Sequence, residues 1–118
     1  MTRYSAQEII LGKDGQETLS KSSAAVVGIG ALGTVASELL TRAGIGKIIL
    51  IDHDLVDSTN LQRQSLYNEQ DIGKPKALSA KEHLEKINNE VGINFFIDDL
   101  NFESIKKIFN VKTDLILD

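Results

Sequence analysis

Hydrophobic and polar positions fall along this chain in blocks whose period changes from one block to the next. Residues 1–22 are polar apart from Ile9-Ile10-Leu11, which Gly12 and Gly15 follow. That pattern predicts a short helical arm, a turn, and a second short helix around Gln16–Leu19. From Ala24 to Ile29 small and β-branched residues run without interruption, predicting a strand buried on both faces. Leu32, Val35, Ala36, Leu39, Leu40 and Ala43 then recur at helical spacing and read as the apolar stripe of a helix. Gly44 and Gly46 end it, and Lys47–Ile51 predicts a second buried strand. Residues 52–73 are rich in Asp, Asn, Gln and Ser and read as an irregular segment outside the core. Pro75 suits a first helical turn, and Ala77, Ala80, Leu84, Ile87 and Val91 share one face of the helix that follows. Ile93–Ile97 predicts a third strand, ended by Asp98-Asp99. Phe102, Ile105, Ile108 and Phe109 mark another helix, and Asp114–Leu117 starts a fourth strand. Phe95, Phe96, Phe102 and Phe109 are assigned to the core.

Strands alternating with helices imply a parallel sheet with right-handed crossovers, an α/β fold of the doubly wound, Rossmann-like kind. The expected division is an N-terminal helical arm (1–22) and a Rossmann-like domain (23–118). In such a sheet the fourth strand lies beside the first, near the middle. The sheet is therefore expected to be incomplete, the N-terminal part of a domain truncated before its C-terminal half.

The chain has 118 residues, 42% of them hydrophobic and 25% charged, ordinary values for one globular domain. Its formal net charge of −4 argues against a nucleic-acid partner. No apolar run approaches the roughly 18 residues that span a bilayer, and no signal-peptide pattern opens the chain, so no membrane partner and a cytoplasmic location are expected. Cysteine is absent, which excludes disulfides, cysteine–zinc sites and a thioester within these residues.

Candidate chemistry begins at Gly28-Ile29-Gly30-Ala31-Leu32-Gly33, a G-x-G-x-x-G between a predicted strand and a predicted helix. The first glycine permits a tight turn, the second lets backbone approach a phosphate, and the third allows close helix–strand packing. The helix N-terminus then offers unpaired N–H groups to an anion. Asp52, ending the second strand, stands where an acidic residue accepts hydrogen bonds from ribose hydroxyls. A nicotinamide-dependent oxidoreductase explains the chain equally well up to this point. It has no need of the segment Asn60-Leu61-Gln62-Arg63-Gln64, nor of Gly73-Lys74-Pro75-Lys76. Arg63 and Lys76 are expected on the same side of the sheet as the glycine turn, where two cations could grip a triphosphate. His53, between two aspartates, is read as outside any metal site, because adjacent residues at a strand end point apart. His83 is read as a solvated residue on the polar face of its helix.

Taken together, these motifs resemble the ThiF/MoeB/HesA family of adenylyltransferases, which serve molybdopterin and thiamine sulfur transfer and are kin to ubiquitin-activating enzymes. The resemblance covers nearly the whole chain. It rests on Arg3-Tyr4 with Gln7, Gly15-Gln16, the glycine turn, Gly44-Ile45-Gly46, and Asp52 with Asp54. Asn60–Gln64, Asp71-Ile72-Gly73 with Lys74-Pro75-Lys76, and Leu115–Asp118 complete it. Asn60–Gln64 looks like the sulfur-carrier branch, since the related tRNA-modifying dehydratases usually alter that stretch.

The resemblance implies ATP-dependent adenylation of the C-terminal carboxylate of a ubiquitin-like sulfur-carrier protein, with pyrophosphate released. It implies that Gly28, Gly30, Ala31 and Gly33 form the phosphate turn and that Asp52 holds the ribose. Asn60, Arg63 and Lys76 contact the phosphates, and Asp54 and Gln64 belong to the same nucleotide site. ATP and Mg2+ are the implied cofactors, and a homodimer with composite sites is the implied assembly. Two departures stand out. The family's Arg-Tyr-x-Arg-Gln is here Arg3-Tyr4-Ser5-Ala6-Gln7, so the second arginine is replaced by Ala6. Asp118 matches the first aspartate of the family's Asp-Cys-Thr-Asp-Asn motif, which leaves the magnesium aspartate, and any zinc or catalytic cysteines, beyond residue 118. The alternatives to an adenylating enzyme are the oxidoreductase and a non-catalytic partner subunit of an activating heterodimer.

Overall fold

The computed structural model describes residues 1–98, 101–109 and 113–118, with the side chains of Ser104, Lys107, Ile108 and Phe109 left out of the description. Four parallel strands, β1 (Ser23–Val27), β2 (Lys47–Ile51), β3 (Gly92–Phe96) and β4 (Leu115–Leu117), form one sheet in the order β3-β2-β1-β4. Strand order therefore reverses between β1 and β4, which is where doubly wound sheets bind ligands at the carboxyl ends of their strands. The expected α/β architecture and the place of the fourth strand beside the first are as the periodicities predict. Asp114 fastens β4 to β1: its carboxylate accepts the Ser23 N–H at 2.8 Å.

Helices α2 (Ala31–Ala43) and α3 (Lys76–Ile87) pack against each other and on one face of the sheet. The main core lies between them, with Ala24, Val26, Ile48, Leu50, Ala77, Ala80 and Leu84 buried. The opposite face carries Ala25, Ile49 and Ile51, backed by Val27 and Phe96. Such fully buried branched side chains contribute about 1.5–3 kcal/mol each.

The face of α2 that meets the core is only partly the predicted one: Leu40 packs against the core as expected. Leu32, Val35 and Leu39 are exposed, Leu32 at 86%, while Thr34, Ser37 and Thr41 are buried. Small hydroxyl residues let α2 approach closely; Thr34 and Ser37 spend their polarity locally, while the Thr41 hydroxyl is buried without a partner. Thr34 Oγ1 donates to Ala31 O and Ser37 Oγ to Thr34 O, both at 3.2 Å. Phe102 is likewise exposed at 73% rather than core, whereas Phe95 and Phe96 are partly buried. The third strand runs one residue earlier than predicted, and Asp99 and the side chains of Ile108 and Phe109 lie outside the described residues.

The N-terminal arm is one helical segment, α1 (Ser5–Ser20), broken by a non-helical Gly12 at the predicted turn. It clasps the C-terminal ends of α2 and α3, whose last carbonyls have no partner within their own helices. Gln7 and Gln16 both donate to Ala43 O, and Arg3 donates to Ile87 O at 3.4 Å. Asn88, buried, donates to Thr41 O and to the Tyr4 hydroxyl, which in turn donates to Glu90 at 2.7 Å. The Tyr4 ring lies over Gly44, which ends α2 at φ 87° and where a Cβ would sit 2.5 Å from the ring. Arg3-Tyr4, Gln7, Gln16 and Gly44 are thus joined in one structural clasp. No helix among the described residues is long and apolar enough to cross a membrane.

Candidate functional site

The glycine turn leaves β1 at its carboxyl end and enters α2 with Gly30 as the cap residue. Gly28 has φ 85°, and its carbonyl oxygen would lie 2.0 Å from a Cβ on Gly33. Only glycine at 33 lets the turn close on the helix. Gly28 N–H donates to Ile51 O at 2.8 Å, tying the turn to the end of β2. The first intrahelical bond, Thr34 N to Gly30 O at 2.9 Å, leaves the N–H groups of Ala31, Leu32 and Gly33 at the open end of the helix.

Asp52 is buried between the turn and the loop after β2. One of its oxygens accepts Ile29 N–H and the other Asp54 N–H, each at 2.7 Å. A carboxylate offers about four lone-pair sites, so this bracing leaves acceptor capacity for a ligand hydroxyl. A polar cavity of about 240 Å³ opens here, lined by Gly28, Asp52, His53, Asp54, Asp98 and Asp118 among others. On the β4 side a larger, mostly apolar groove of about 530 Å³ runs past Gly30, Ala31, Gly33 and Leu117. The two adjoin at Val27, Gly28 and Asp118.

Residues 52–73 are not outside the core as their composition suggests. Val56, Gln64, Leu66, Tyr67 and Asp71 are buried. The segment folds back on itself: Val56 N donates to Lys74 O, Gly73 N to Val56 O and Lys76 N to Asp54 O, with Leu55 bridging Pro75. This short ladder sets Lys76, the first residue of α3, beside Asp54. The Lys76 ammonium is 3.9 Å from the Asp54 carboxylate, and the residue is only 7% exposed. Long-stemmed lysines usually reach solvent, so a buried one aimed at the ends of the strands has been built in by its surroundings.

The 3-10 turn Ser58–Asn60 carries the rest of the motif. Asp57 caps it, accepting Thr59 N–H at 2.8 Å, while Asn60 Oδ1 accepts Asp57 N–H at 3.0 Å. The Thr59 N–H and then the Thr59 hydroxyl hold the Asp57 carboxyl below the ordinary carboxylate range, with a smaller pull from Lys76. Arg63 is exposed and donates to Thr59 O at 2.9 Å. Gln64 turns inward: its Nε2 lies 3.8 Å from the position of a Cβ on Gly30, and its Oε1 is buried without a partner. The structure therefore gathers Gly28, Gly30, Ala31, Gly33, Asp52, Asp54, Gln64 and Lys76 around one turn. Asn60 and Arg63 stand on the neighbouring exposed turn.

Three side chains behave otherwise than the sequence suggests. His53 Nε2 is 3.0 Å from Asp54 Oδ1, and the ligand atoms of Asp52, His53 and Asp54 lie within 4.8 Å of one another, so they converge rather than point apart. His83 is not a solvated surface residue; its Nε2 lies 2.7 Å from Oδ2 of buried Asp71. Tyr67 went unmarked, and its hydroxyl donates to Ile29 O at 2.7 Å within the glycine turn. The available signal was an aromatic ring embedded in a polar stretch.

Comparison with known proteins agrees with this geometry. The chain is 43% identical over 107 residues to the sulfur carrier protein ThiS adenylyltransferase of Bacillus subtilis (strain 168), covering 87% of this chain and 32% of that protein. It is 40% identical over 123 residues to the molybdopterin-synthase adenylyltransferase of Escherichia coli (strain K12), covering 100% of this chain and 48% of that one. The chain thus spans 32% to 48% of the length of these curated relatives. Among solved structures, E. coli tRNA N6-threonylcarbamoyladenosine dehydratase, TcdA, in complex with ATP superposes with a TM-score of 0.90 at 30% identity. That match covers 97% of this chain and 47% of that one. A ThiF family model matches residues 4–118, so the chain belongs to the ThiF family.

Proposed function

We propose that the full-length protein binds ATP at the glycine turn and uses it to adenylate the C-terminal carboxylate of a ubiquitin-like sulfur-carrier protein. The observation that carries this reading is the fold-back of the segment after β2, which sets Gln64 against Gly30 of the glycine turn and buries Lys76 beside Asp54. A hydride-transfer site has no use for a buried lysine and a buried glutamine there. In this reading Asp52 holds the ribose, with Asp54 and Gln64 beside it. The N–H groups of Gly30, Ala31 and Gly33 meet the phosphates. The carrier carboxylate attacks the α-phosphorus, a new P–O bond forms, and the bond to the β-phosphate breaks to release pyrophosphate. Lys76, Arg63 and Asn60 stabilise the charge that develops on the phosphoryl oxygens.

Mg2+ accompanying ATP supplies further neutralisation. The Asp52–His53–Asp54 group is a poor resident site for it, because the Lys76 ammonium, 3.9 Å from the Asp54 carboxylate, already brings a positive charge to the group. Two relatives named as adenylyltransferases of sulfur carriers or of molybdopterin synthase support the carrier reading. Likeness to a tRNA dehydratase, also 35% identical in Bacillus subtilis, gives the second reading, in which ATP activates an RNA-borne carboxylate. A homodimer is the assembly we assign to either. The test is ATP–pyrophosphate exchange by full-length protein with Mg2+, offered a sulfur carrier, a modified tRNA, or neither. Carrier-dependent exchange supports the proposal; tRNA-dependent turnover favours the second reading. Selective tight binding of NAD would sink both.

A further inference from the structure

We infer that Tyr67 is a positioning residue that orients the Ile29–Gly30 peptide so that its N–H faces the phosphates. Two peptide planes make up the tip of the glycine turn, and each is held by one side chain. Asp52 Oδ2 accepts Ile29 N–H and fixes the first. The hydroxyl of Tyr67, a residue only 5% exposed, donates to Ile29 O at 2.7 Å and fixes the second. Every peptide of the turn is trans, and in a trans peptide the C=O and N–H point to opposite sides. With the Ile29 carbonyl drawn inward to Tyr67, the Gly30 N–H points outward, to the mouth of the turn. Released from Tyr67, that carbonyl could rotate outward and present a partial negative charge to an anionic ligand.

A buried phenol always needs some acceptor. The choice of acceptor is what distinguishes this one. Tyr67 reaches 38 residues back along the chain to the one carbonyl whose rotation would invert the polarity of the turn. It also lies 3.5 Å from Lys76 O, so the same hydroxyl borders the first residue of α3. The end of the Asn60–Gln64 fold-back, the glycine turn and the lysine at the head of α3 therefore meet at one oxygen. Burial, and then the charges of Asp52 and Asp71, push the phenol far above its ordinary range, so the donor stays protonated at every working pH.

The inference rests on the proposed placement of nucleotide phosphates at this turn, and the experiment separates the two. Full-length wild type, Tyr67→Phe and Tyr4→Phe are titrated calorimetrically with ATP and with adenosine, which lacks phosphates. Tyr67→Phe keeps the ring and its packing. It should bind ATP about tenfold more weakly, the worth of one hydrogen bond, with adenosine affinity unchanged. Tyr4→Phe, which loses a hydrogen bond at the clasp, should change neither. Unchanged ATP affinity, or equal weakening for ATP and adenosine, overturns the inference while leaving ATP binding itself intact. Failure of wild type to bind ATP removes both. Should Tyr67→Phe not fold, amide NMR of wild type still answers. The Gly30 N–H resonance should move downfield with ATP and not with adenosine, and a Gly30 amide indifferent to ATP overturns the inference.

Discussion

His83 Nε2 stands 2.7 Å from Oδ2 of Asp71, and the same oxygen accepts Asn68 N–H at 2.8 Å. One buried carboxylate thus caps the 3-10 turn Glu69–Asp71 and anchors it to the middle of α3. The segment it holds leads directly to Lys76. Asp71→Ala leaves two donors facing a buried gap and should cost about 1–3 kcal/mol of stability. His83→Ala removes a partly exposed partner that water can replace and should cost less. Chemical denaturation of both variants checks the order; equal losses would place the anchoring elsewhere.

The two glycines nearest the phosphate position should fail differently. A Cβ on Gly33 would meet Gly28 O at 2.0 Å, backbone against backbone, so Gly33→Ala should open the turn and lower stability together with nucleotide affinity. A Cβ on Gly30 has only Gln64 Nε2 within 4 Å, at 3.8 Å. Gly30→Ala should therefore fold normally and lose nucleotide affinity alone, because the methyl blocks close approach of a phosphate. Melting temperature beside ATP titration separates them. A Gly30→Ala protein that binds ATP like wild type would move the phosphates off this turn.

The strands and the glycine turn were legible because buried parallel strands leave uninterrupted apolar runs, and a turn that tight leaves only glycine as a choice. What escaped followed from volume and from distant pairing. On α2 the large residues Leu32, Val35 and Leu39 mimic a core stripe, yet close packing selects Thr34, Ser37 and Thr41. In residues 52–73 polarity suggests solvent, yet Gln64 and Asp71 are buried because the ladder to 73–76 and the glycine turn give them places inside. The Tyr67–Ile29 and His83–Asp71 pairs join segments whose separation leaves no periodic trace.

Acid should spare the Asp57 cap longer than an ordinary exposed carboxylate. Its carboxyl is held below the ordinary range in the folded protein. Its contribution is therefore fully present above the ordinary carboxylate value and is lost as pH falls through the lower folded value. Between those two values the Ser58–Asn60 turn should remain capped while uncoupled surface carboxylates are already protonated. Carboxyl-carbon NMR titration follows this residue by residue. A midpoint for Asp57 at or above that of ordinary exposed aspartates would contradict it.

Arg63 and Lys76 should separate rate from stability. Lys76→Met keeps the buried stem and removes only the ammonium; its neighbour Asp54 is half exposed and can be solvated. Arg63→Ala removes an exposed side chain that donates to a carbonyl of its own turn. Removal of one preorganised charge typically lowers a rate by about 10²–10³, so each variant should lose pyrophosphate exchange on that scale with nearly wild-type melting. Normal turnover in both would make them surface and structural charges.

By the resemblance of the Arg3–Gln7 stretch to the family's motif, an arginine is expected where this chain has Ala6, and the place of Ala6 limits how an arginine there could act. Ala6 is exposed on α1, one residue before Gln7, which is bonded to Ala43 O at the far end of α2. The glycine turn is at the near end. A helix of 13 residues separates them by about 20 Å, at 1.5 Å per residue, farther than an arginine side chain extends. Arginine at position 6 could therefore serve only the site of a second copy. Supplying such a cation is worth roughly 10³–10⁵ in rate in phosphoryl-transfer enzymes, so even a small share of that is measurable. Full-length Ala6→Arg should exchange pyrophosphate faster than wild type, and the gain should vanish on dilution to monomer. Ala6→Arg combined with Lys76→Met, silent alone, should still accelerate an added wild-type partner. A well-folded Ala6→Arg protein with an unchanged rate, or one whose gain survives as a monomer, would remove the case for a cation acting between subunits.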